Sequence, residues 1–113
     1  MAIYSACNKE KKNPAFGDYE TVYTEISIPA YDTFTLYEQP IHISYFYKEQ
    51  IKVEDYVMYQ SNLENYYTGG DVYKNTNWTL QYFPSNDSIE FRWNQYAVPG
   101  SSVLKTWNGI KTN

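Results

Sequence analysis

The chain has little of what most catalytic and metal sites need. Its 113 residues include one cysteine, Cys7, and one histidine, His42. A single cysteine excludes an internal disulfide and a zinc site built from several cysteines. A single histidine leaves little scope for a histidine-ligated metal or a histidine-based triad. No calcium loop and no glycine-rich phosphate loop is present in the sequence. We therefore expect no enzymatic activity, no bound metal and no cofactor.

Basic charge and long apolar runs are also scarce. Nine Lys and Arg stand against 13 Asp and Glu, which gives a formal net charge of −4. Binding to nucleic acid needs clustered cations, so this charge argues against it. No run approaches the ~20 apolar residues of a membrane-spanning helix. A chain of this length indicates one domain, and we predict a tail or tether over 1–18 and a single β domain over 19–113.

Aromatic residues, in contrast, are abundant. The chain has 14 Tyr, 5 Phe and 3 Trp, which together outnumber Ile, Leu and Val. Tyrosine joins a large apolar ring to a polar tip. It suits a half-buried pleated surface, and it also suits a binding face. The composition therefore favours a β fold and an interaction made through aromatic rings.

Apolar and polar residues alternate at period two through much of the chain. Pro40 is expected to break one such run. Short alternating segments with turn residues between them predict a mainly β fold, either an antiparallel β-sandwich or a small barrel of six to seven strands. The alternating segments are 19–28, 33–37, 41–48, 78–83, 88–94 and 103–107.

The clearest pattern is a hairpin over 78–94, which turns at Pro84–Asp87 because Pro, Asn and Asp favour turn conformations. After the turn, apolar side chains share one strand face. Glu90 and Arg92 share the other face, so we expect a solvated ion pair between them.

The middle of the chain fits two structures. Val53, Val57 and Leu63 belong to a set that recurs at helical spacing, and Gly69 would end such a helix. The same stretch also fits short strands. The spacing favours one short helix within 53–67, although the residues in it have low helix propensity.

The first residues resemble the processed end of a bacterial lipoprotein signal. Ser5-Ala6-Cys7 is similar to the small residues that precede the lipidated cysteine of that family, and the polar run 8–13 is similar to its tether. Tyr4 stands where the family usually has a small aliphatic residue. The resemblance implies lipid attachment at Cys7 and an extracytoplasmic or cell-surface location.

A group of tyrosines in the middle of the chain is the candidate ligand-binding set. Its members lie among Asn, Gln and Asp, and rings beside amides and carboxylates serve both carbohydrate and protein recognition. The three tryptophans could contribute, although at least two are expected in the core. The candidates are Tyr56, Tyr59, Tyr66, Tyr67 and Tyr73.

These features favour a non-enzymatic binding module, exported or surface-attached, that recognises a carbohydrate or a protein through a Tyr/Trp-rich face. One alternative is a structural or assembly subunit of a virion or filament, because exposed aromatic patches mark interfaces and an oligomer would bury them. Another is a small acidic inhibitor or immunity protein. We expect no nucleic acid partner, and membrane contact only through the lipid anchor.

Overall fold

The computed structural model describes residues 13–28, 32–96 and 101–112, which form eight β-strands and one short 3-10 helix, Val72–Lys74. Each strand pairs antiparallel with the next, and β1 also pairs with β8, so the sheet closes into a barrel. The predicted mainly β, antiparallel fold is confirmed as a barrel, with eight strands where six to seven were predicted. The strands are β1 (Gly17–Ile28), β2 (Asp32–Tyr47), β3 (Gln50–Val53), β4 (Tyr56–Gln60), β5 (Tyr66–Asp71), β6 (Thr76–Phe83), β7 (Ser88–Tyr96) and β8 (Ser102–Lys111).

Aromatic side chains determine which face of β1 turns inward. Tyr19 and Tyr23 are 1% and 8% exposed, whereas Val22 between them is 36% exposed. The buried hydroxyls find partners: Tyr19 donates to the carbonyl oxygen of Ala15 at 2.8 Å, and Tyr23 donates to the carboxylate of Glu25 at 2.5 Å. Since each polar tip is satisfied, burying the rings carries no cost of an unpaired hydroxyl.

The core is one cluster that draws side chains from β1 to β7. Trp107 of β8 packs against its edge. Within the described ranges, no buried side-chain nitrogen or oxygen lacks a hydrogen-bond partner. The cluster consists of Ala15, Tyr19, Ile41, Ile43, Ile51, Val53, Met58, Tyr67, Leu80, Tyr82, Ile89 and Phe91.

The break predicted at Pro40 is wrong, because β2 runs through it. The N–H of His42 donates to the side chain of Glu54, just after β3, and the carbonyl of His42 accepts the N–H of Glu54. The backbone of Pro40, two residues earlier, faces the same side of β2 but lies beyond the end of β3. The missing N–H of Pro40 therefore breaks no hydrogen bond of the sheet. A bulge precedes Pro40 in β2, between the pairs Thr21–Gln39 and Tyr23–Leu36.

The predicted helix within 53–67 is also wrong. The stretch forms the end of β3, a two-residue turn, β4, a loop and the start of β5. Glu54 in the turn has φ 52° and donates its N–H to the carbonyl of His42 at 3.0 Å. Val53 and Met58 are fully buried on the inner face. Helix propensity was low here, so strand pairing on both sides decided the conformation.

Residues 13–16 lie within the predicted tail and pack against one end of the barrel. The side chain of Asn13 accepts the N–H of Ala15 at 2.9 Å, which forms a tight turn. Ala15 is 1% exposed, and Phe16 packs on the core beside it. We call this the plugged end. In the described ranges, no helix is long and apolar enough to cross a membrane.

Candidate functional site

The opposite end of the barrel carries all three tryptophans, and we call it the tryptophan end. Trp78 lies in β6, Trp93 in β7 and Trp107 in β8. All three side chains are on the inner face. Trp107 pairs with the buried Phe91, Trp93 lies two residues after Phe91 in the same strand, and Trp78 pairs with Trp93. At this end the barrel interior is therefore lined with rings.

A row of inward residues crosses five strands at the tryptophan end. Trp78 lies directly opposite Trp93, and Trp93 opposite Lys105. Lys105 lies opposite Glu25, and Glu25 opposite Phe34. Residues opposed in this way share a face, with Cβ atoms roughly 4.5–5.5 Å apart. These five residues, which we call the mouth row, set two indoles beside one ammonium and one carboxylate.

The rings at and beneath the mouth row form one continuous chain. Neighbouring centroids are 4.7 to 6.5 Å apart, the range of favourable aromatic pairs, which contribute about 0.5–1.5 kcal/mol each beyond burial. The deepest ring, Phe91, is 1% exposed and fixes the chain to the core. In order, the rings are Phe34, Tyr23, Trp107, Phe91, Tyr56 and Trp78.

Trp78 is held by a hydrogen bond across a gap between two strands. Only two residue pairs join β4 to β5, and beyond them the indole N–H of Trp78 donates to the carbonyl of Val57 at 3.0 Å. The indole can reach that carbonyl because its cross-strand neighbour is Gly69. A Cβ at Gly69 would lie 2.3 Å from the indole nitrogen and 2.5 Å from the Val57 oxygen.

The two charges of the mouth row are each engaged with a ring. The ammonium of Lys105 lies 4.6 Å from the centroid of Trp93, within the range of a cation–π contact. The carboxylate of Glu25 accepts the hydroxyl of Tyr23. Burial, and after it the bond to Glu25, raises the pKa of Tyr23 well above its ordinary value. Tyr23 therefore stays a neutral donor at ordinary pH.

The next inward row toward the rim is mostly polar. Asp71 lies opposite Thr76, and Thr76 opposite Gln95. Across β8, Val103 lies opposite both Gln95 and Ser27. The tryptophan end thus passes from a ring layer to carboxylate, hydroxyl and amide groups. This sequence of layers is typical of ligand sites, which combine apolar walls with a few placed polar groups.

A cavity lies at the plugged end, beside residues 13–16. Its volume is about 650 Å³, and it is partly open to solvent. Phe16, Tyr45 and Tyr67 give it aromatic walls, and Gln60, opposite Tyr67, adds a carboxamide.

The five tyrosines predicted as one binding set are not brought together. Tyr56 lies on the inner face, with its ring 5.0 Å from that of Trp78. Tyr67 is in the core, 5% exposed, and also lines the cavity at the plugged end. The outer face carries Tyr59 and Tyr66, since they pair with Thr68 and Gln81. Tyr73, in the 3-10 helix, is 98% exposed.

The residues of the mouth row were outside the predicted set, apart from the general role given to the tryptophans. Alternation alone put Trp78 and Trp93 on inner faces. Nothing in the sequence alone aligned Lys105 with Glu25, because that pairing depends on closure of the barrel through β1 and β8. Phe34 joins the row only because a bulge shifts the register of β2.

Other predicted features have simple outcomes. The Glu90–Arg92 ion pair is confirmed at 3.1 Å on the outer face. His42 is bonded to Asp18 at 2.6 Å, and both side chains are more than half exposed. Over residues 13–28, 32–96 and 101–112, no three His, Cys, Asp or Glu side chains are grouped so that they could hold a metal. Cys7, the predicted lipid attachment point, lies outside the described residues.

A comparison of the sequence with protein-family models gives no match, and no curated protein is significantly similar to it. The functional conclusion therefore rests on the side chains of the two ends.

Proposed function

We propose that this protein is a non-enzymatic binding module that holds a carbohydrate at the tryptophan end of its barrel. The observation that carries the proposal is the mouth row, in which Trp78 and Trp93 lie directly opposite each other and remain partly exposed. Two adjacent indoles on one face of a sheet offer flat apolar area that needs no reordering on binding.

The polar groups around the indoles favour a sugar over a purely apolar ligand. A sugar ring has apolar faces, which stack on indoles, and hydroxyls at its edge, which need donors and acceptors. Asp71 and Gln95 lie one row outward from Trp78 and Trp93, on either side of the buried Thr76. One carboxylate oxygen of Asp71 accepts the N–H of Tyr73, and the amide of Gln95 donates to the carbonyl of Lys74. The other carboxylate oxygen, and the carbonyl and second N–H of the Gln95 amide, remain for sugar hydroxyls. Lys105 and Glu25 add one donor and one acceptor beside Trp93.

We further propose that the module acts outside the cytoplasm, anchored by a lipid on Cys7. The support is the sequence Ser5-Ala6-Cys7 and the polar run that follows it. Asn13, where the described chain begins, lies at the plugged end. A tether that joins the barrel there would leave the tryptophan end pointing away from the membrane. Incorporation of a labelled fatty acid in the native host, lost in Cys7→Ser, tests the anchor.

Binding is tested with a panel of neutral oligosaccharides, followed by tryptophan fluorescence and calorimetry. We expect at least one to bind, and Trp93→Ala to weaken it tenfold or more, which corresponds to about 1.4 kcal/mol. Tyr73→Ala is the matched control, because it removes a fully exposed ring from outside the barrel.

Two results would contradict the carbohydrate assignment. One is that no oligosaccharide binds, and the other is that Trp93→Ala binds as tightly as the parent. If no sugar binds while a surface protein of the host binds in a Trp93-dependent way, the mouth row serves protein recognition, for which aromatic anchors are equally suited.

A further inference from the structure

The cavity at the plugged end has the dimensions of a ligand site. Its volume of about 650 Å³ falls within the ~300–1,000 Å³ of typical small-molecule pockets. It lies between the turn after β2, the end of β4 and residues 13–16. The barrel therefore has a concave site at the end opposite the tryptophans.

Three rings give the cavity apolar walls. Tyr67 is fixed by core packing and by the side-chain amide of Asn13, which donates to its hydroxyl at 3.0 Å. Phe16 packs on the core from the N-terminal segment. Tyr45 lies opposite the buried Ile51, so its ring is on the inner face. Rings held in this way offer stacking surfaces without an ordering cost.

Two polar groups of the cavity have no internal partner. In the described part of the chain, the side-chain amide of Gln60, opposite Tyr67, and the hydroxyl of Tyr45 make no hydrogen bond, and both residues line the cavity. A carboxamide presents one acceptor and two donors, so these groups suit a ligand edge that offers both. Lys48 and Glu49, at the rim, carry opposite charges and leave the lining without net charge.

The cavity is separated from the tryptophan end by the core. Leu80, opposite Tyr67, and Met58 are fully buried, and Phe91, opposite Leu80, is 1% exposed. The residues that line the cavity do not include any member of the mouth row. A ligand at one end therefore does not contact the other.

We infer that the cavity at the plugged end is a second binding site, which takes one uncharged ring with hydrogen-bond donors and acceptors at its edge. Tyr45, Tyr67 and Phe16 would contact the faces of the ring, and the Gln60 carboxamide and the Tyr45 hydroxyl its edge. A single neutral sugar and a neutral heterocycle such as a nucleobase share this chemistry. This inference does not depend on carbohydrate binding at the mouth row.

The test follows chemical shifts of the side-chain amide of Gln60 and of the ring of Tyr45 by NMR during titration. One arm uses glucose and N-acetylglucosamine, and the other uses uridine and adenosine. Each arm includes charged counterparts, namely glucosamine and glucuronate or uridine monophosphate. We expect a neutral probe to shift both signals, and Gln60→Leu to weaken that probe about tenfold or more.

Gln95→Leu is the matched control, because it removes a carboxamide from the tryptophan end. It should leave the cavity probe unaffected, while Gln60→Leu should leave any ligand of the mouth row unaffected. Gln60 is exposed, so Gln60→Leu is expected to fold, and Tyr45→Phe removes a single hydroxyl as a second variant.

The arm that binds identifies the ligand as sugar or heterocycle. The inference is overturned if neither arm shifts the Gln60 and Tyr45 signals, if charged counterparts bind as well as neutral ones, or if both Gln60→Leu and Tyr45→Phe bind like the parent. Loss of cavity binding with an intact response at the mouth row would leave the proposed function standing.

Discussion

The two ends of the barrel use aromatic residues in opposite ways. At the plugged end, Tyr19 and Tyr82 are at most 2% exposed, and their hydroxyls donate to the carbonyl of Ala15 and the carboxylate of Asp87. At the tryptophan end, Trp93 stays partly exposed, and its indole N–H donates to no group in the described part of the chain. Tyr19 and Tyr82 are therefore part of the core, whereas Trp93 keeps a ring face and an N–H available to a ligand.

A cation reinforces the plugged end. The ammonium of Lys111 lies 5.7 Å from the ring centroid of Tyr19 and 5.9 Å from that of Tyr82. It also donates to the carbonyl of Pro14, which joins β8 to the N-terminal segment. The same kind of contact at the tryptophan end, Lys105 over Trp93, joins only two partly exposed neighbours on adjacent strands. We therefore expect stability to depend on the plugged end and binding on the tryptophan end.

The largest expected effect is the loss of a tyrosine at the plugged end. Tyr19→Ala should lower the free energy of unfolding by about 3–5 kcal/mol, because it leaves a cavity in a closed core and removes the donor for Ala15. Urea denaturation measures the change. Tyr59→Ala removes the same side chain from the outer face, where it is 57% exposed, and should cost within about 0.5 kcal/mol. Equal effects of the two substitutions would contradict the difference between core and surface tyrosines.

Alkaline pH should reduce the contribution of the buried tyrosines to the stability of the fold. Burial, and after it the bond to Asp87, raises the pKa of Tyr82 from 10.0 to about 12, and burial also raises those of Tyr19 and Tyr23. The folded state keeps these protons where the unfolded chain has lost them. Stability is therefore complete below about pH 10 and falls above it, by about 1.4 kcal/mol per pH unit for each such tyrosine.

The measurement is the urea midpoint as a function of pH, with phenolate absorbance followed in parallel. Tyr82→Phe should make the decline above pH 10 less steep, whereas Tyr73→Phe, at an exposed position, should not change it. A midpoint that stays constant from pH 10 to 12 would contradict the burial of three protonated hydroxyls.

An intermediate effect on stability is expected at Gly69, where the indole of Trp78 bonds to the carbonyl of Val57. Gly69→Ala should destabilise the fold by about 1–3 kcal/mol, because the new Cβ would overlap the indole of Trp78 and the carbonyl of Val57. The fluorescence of Trp78 should change with it. Gly70→Ala is the control, since its nearest atom is the Thr76 oxygen at 3.0 Å and a small shift accommodates it. Equal costs at the two glycines would show that the indole does not need Gly69.

Local patterns in the sequence predicted the strands and the aromatic character of the inner face, but not the register that forms the site. The alternation in 78–83 and 88–94 correctly put Trp78 and Trp93 on the face of the core. From the sequence alone, the turn at Glu54 could not be distinguished from the start of a helix, because an acidic residue is compatible with a turn and with the first turn of a helix. The pairing of Glu25 with Lys105 joins residues 80 positions apart, and no local signal carries it.

The grouping of tyrosines by chain position failed for a related reason. Tyr66 and Tyr67 are neighbours in sequence, yet one lies on the outer face and the other in the core, because successive strand residues point to opposite faces. The division that the barrel makes runs along its axis. It separates Tyr19 and Tyr82, which are closed into the core at the plugged end, from the partly exposed tryptophans at the other end.

The smallest effect on stability should come from the mouth row. Trp93→Ala should cost about 1 kcal/mol in unfolding free energy, since the ring is partly exposed and gives up a contact with Lys105 rather than a place in the core. Trp107→Ala, one layer deeper and stacked between Tyr23 and Phe91, should cost several times more. Urea denaturation of both variants measures this ratio. If Trp93→Ala destabilised the fold as much as Trp107→Ala, Trp93 would be part of the core, and the tryptophan end would have no ring free to bind a ligand.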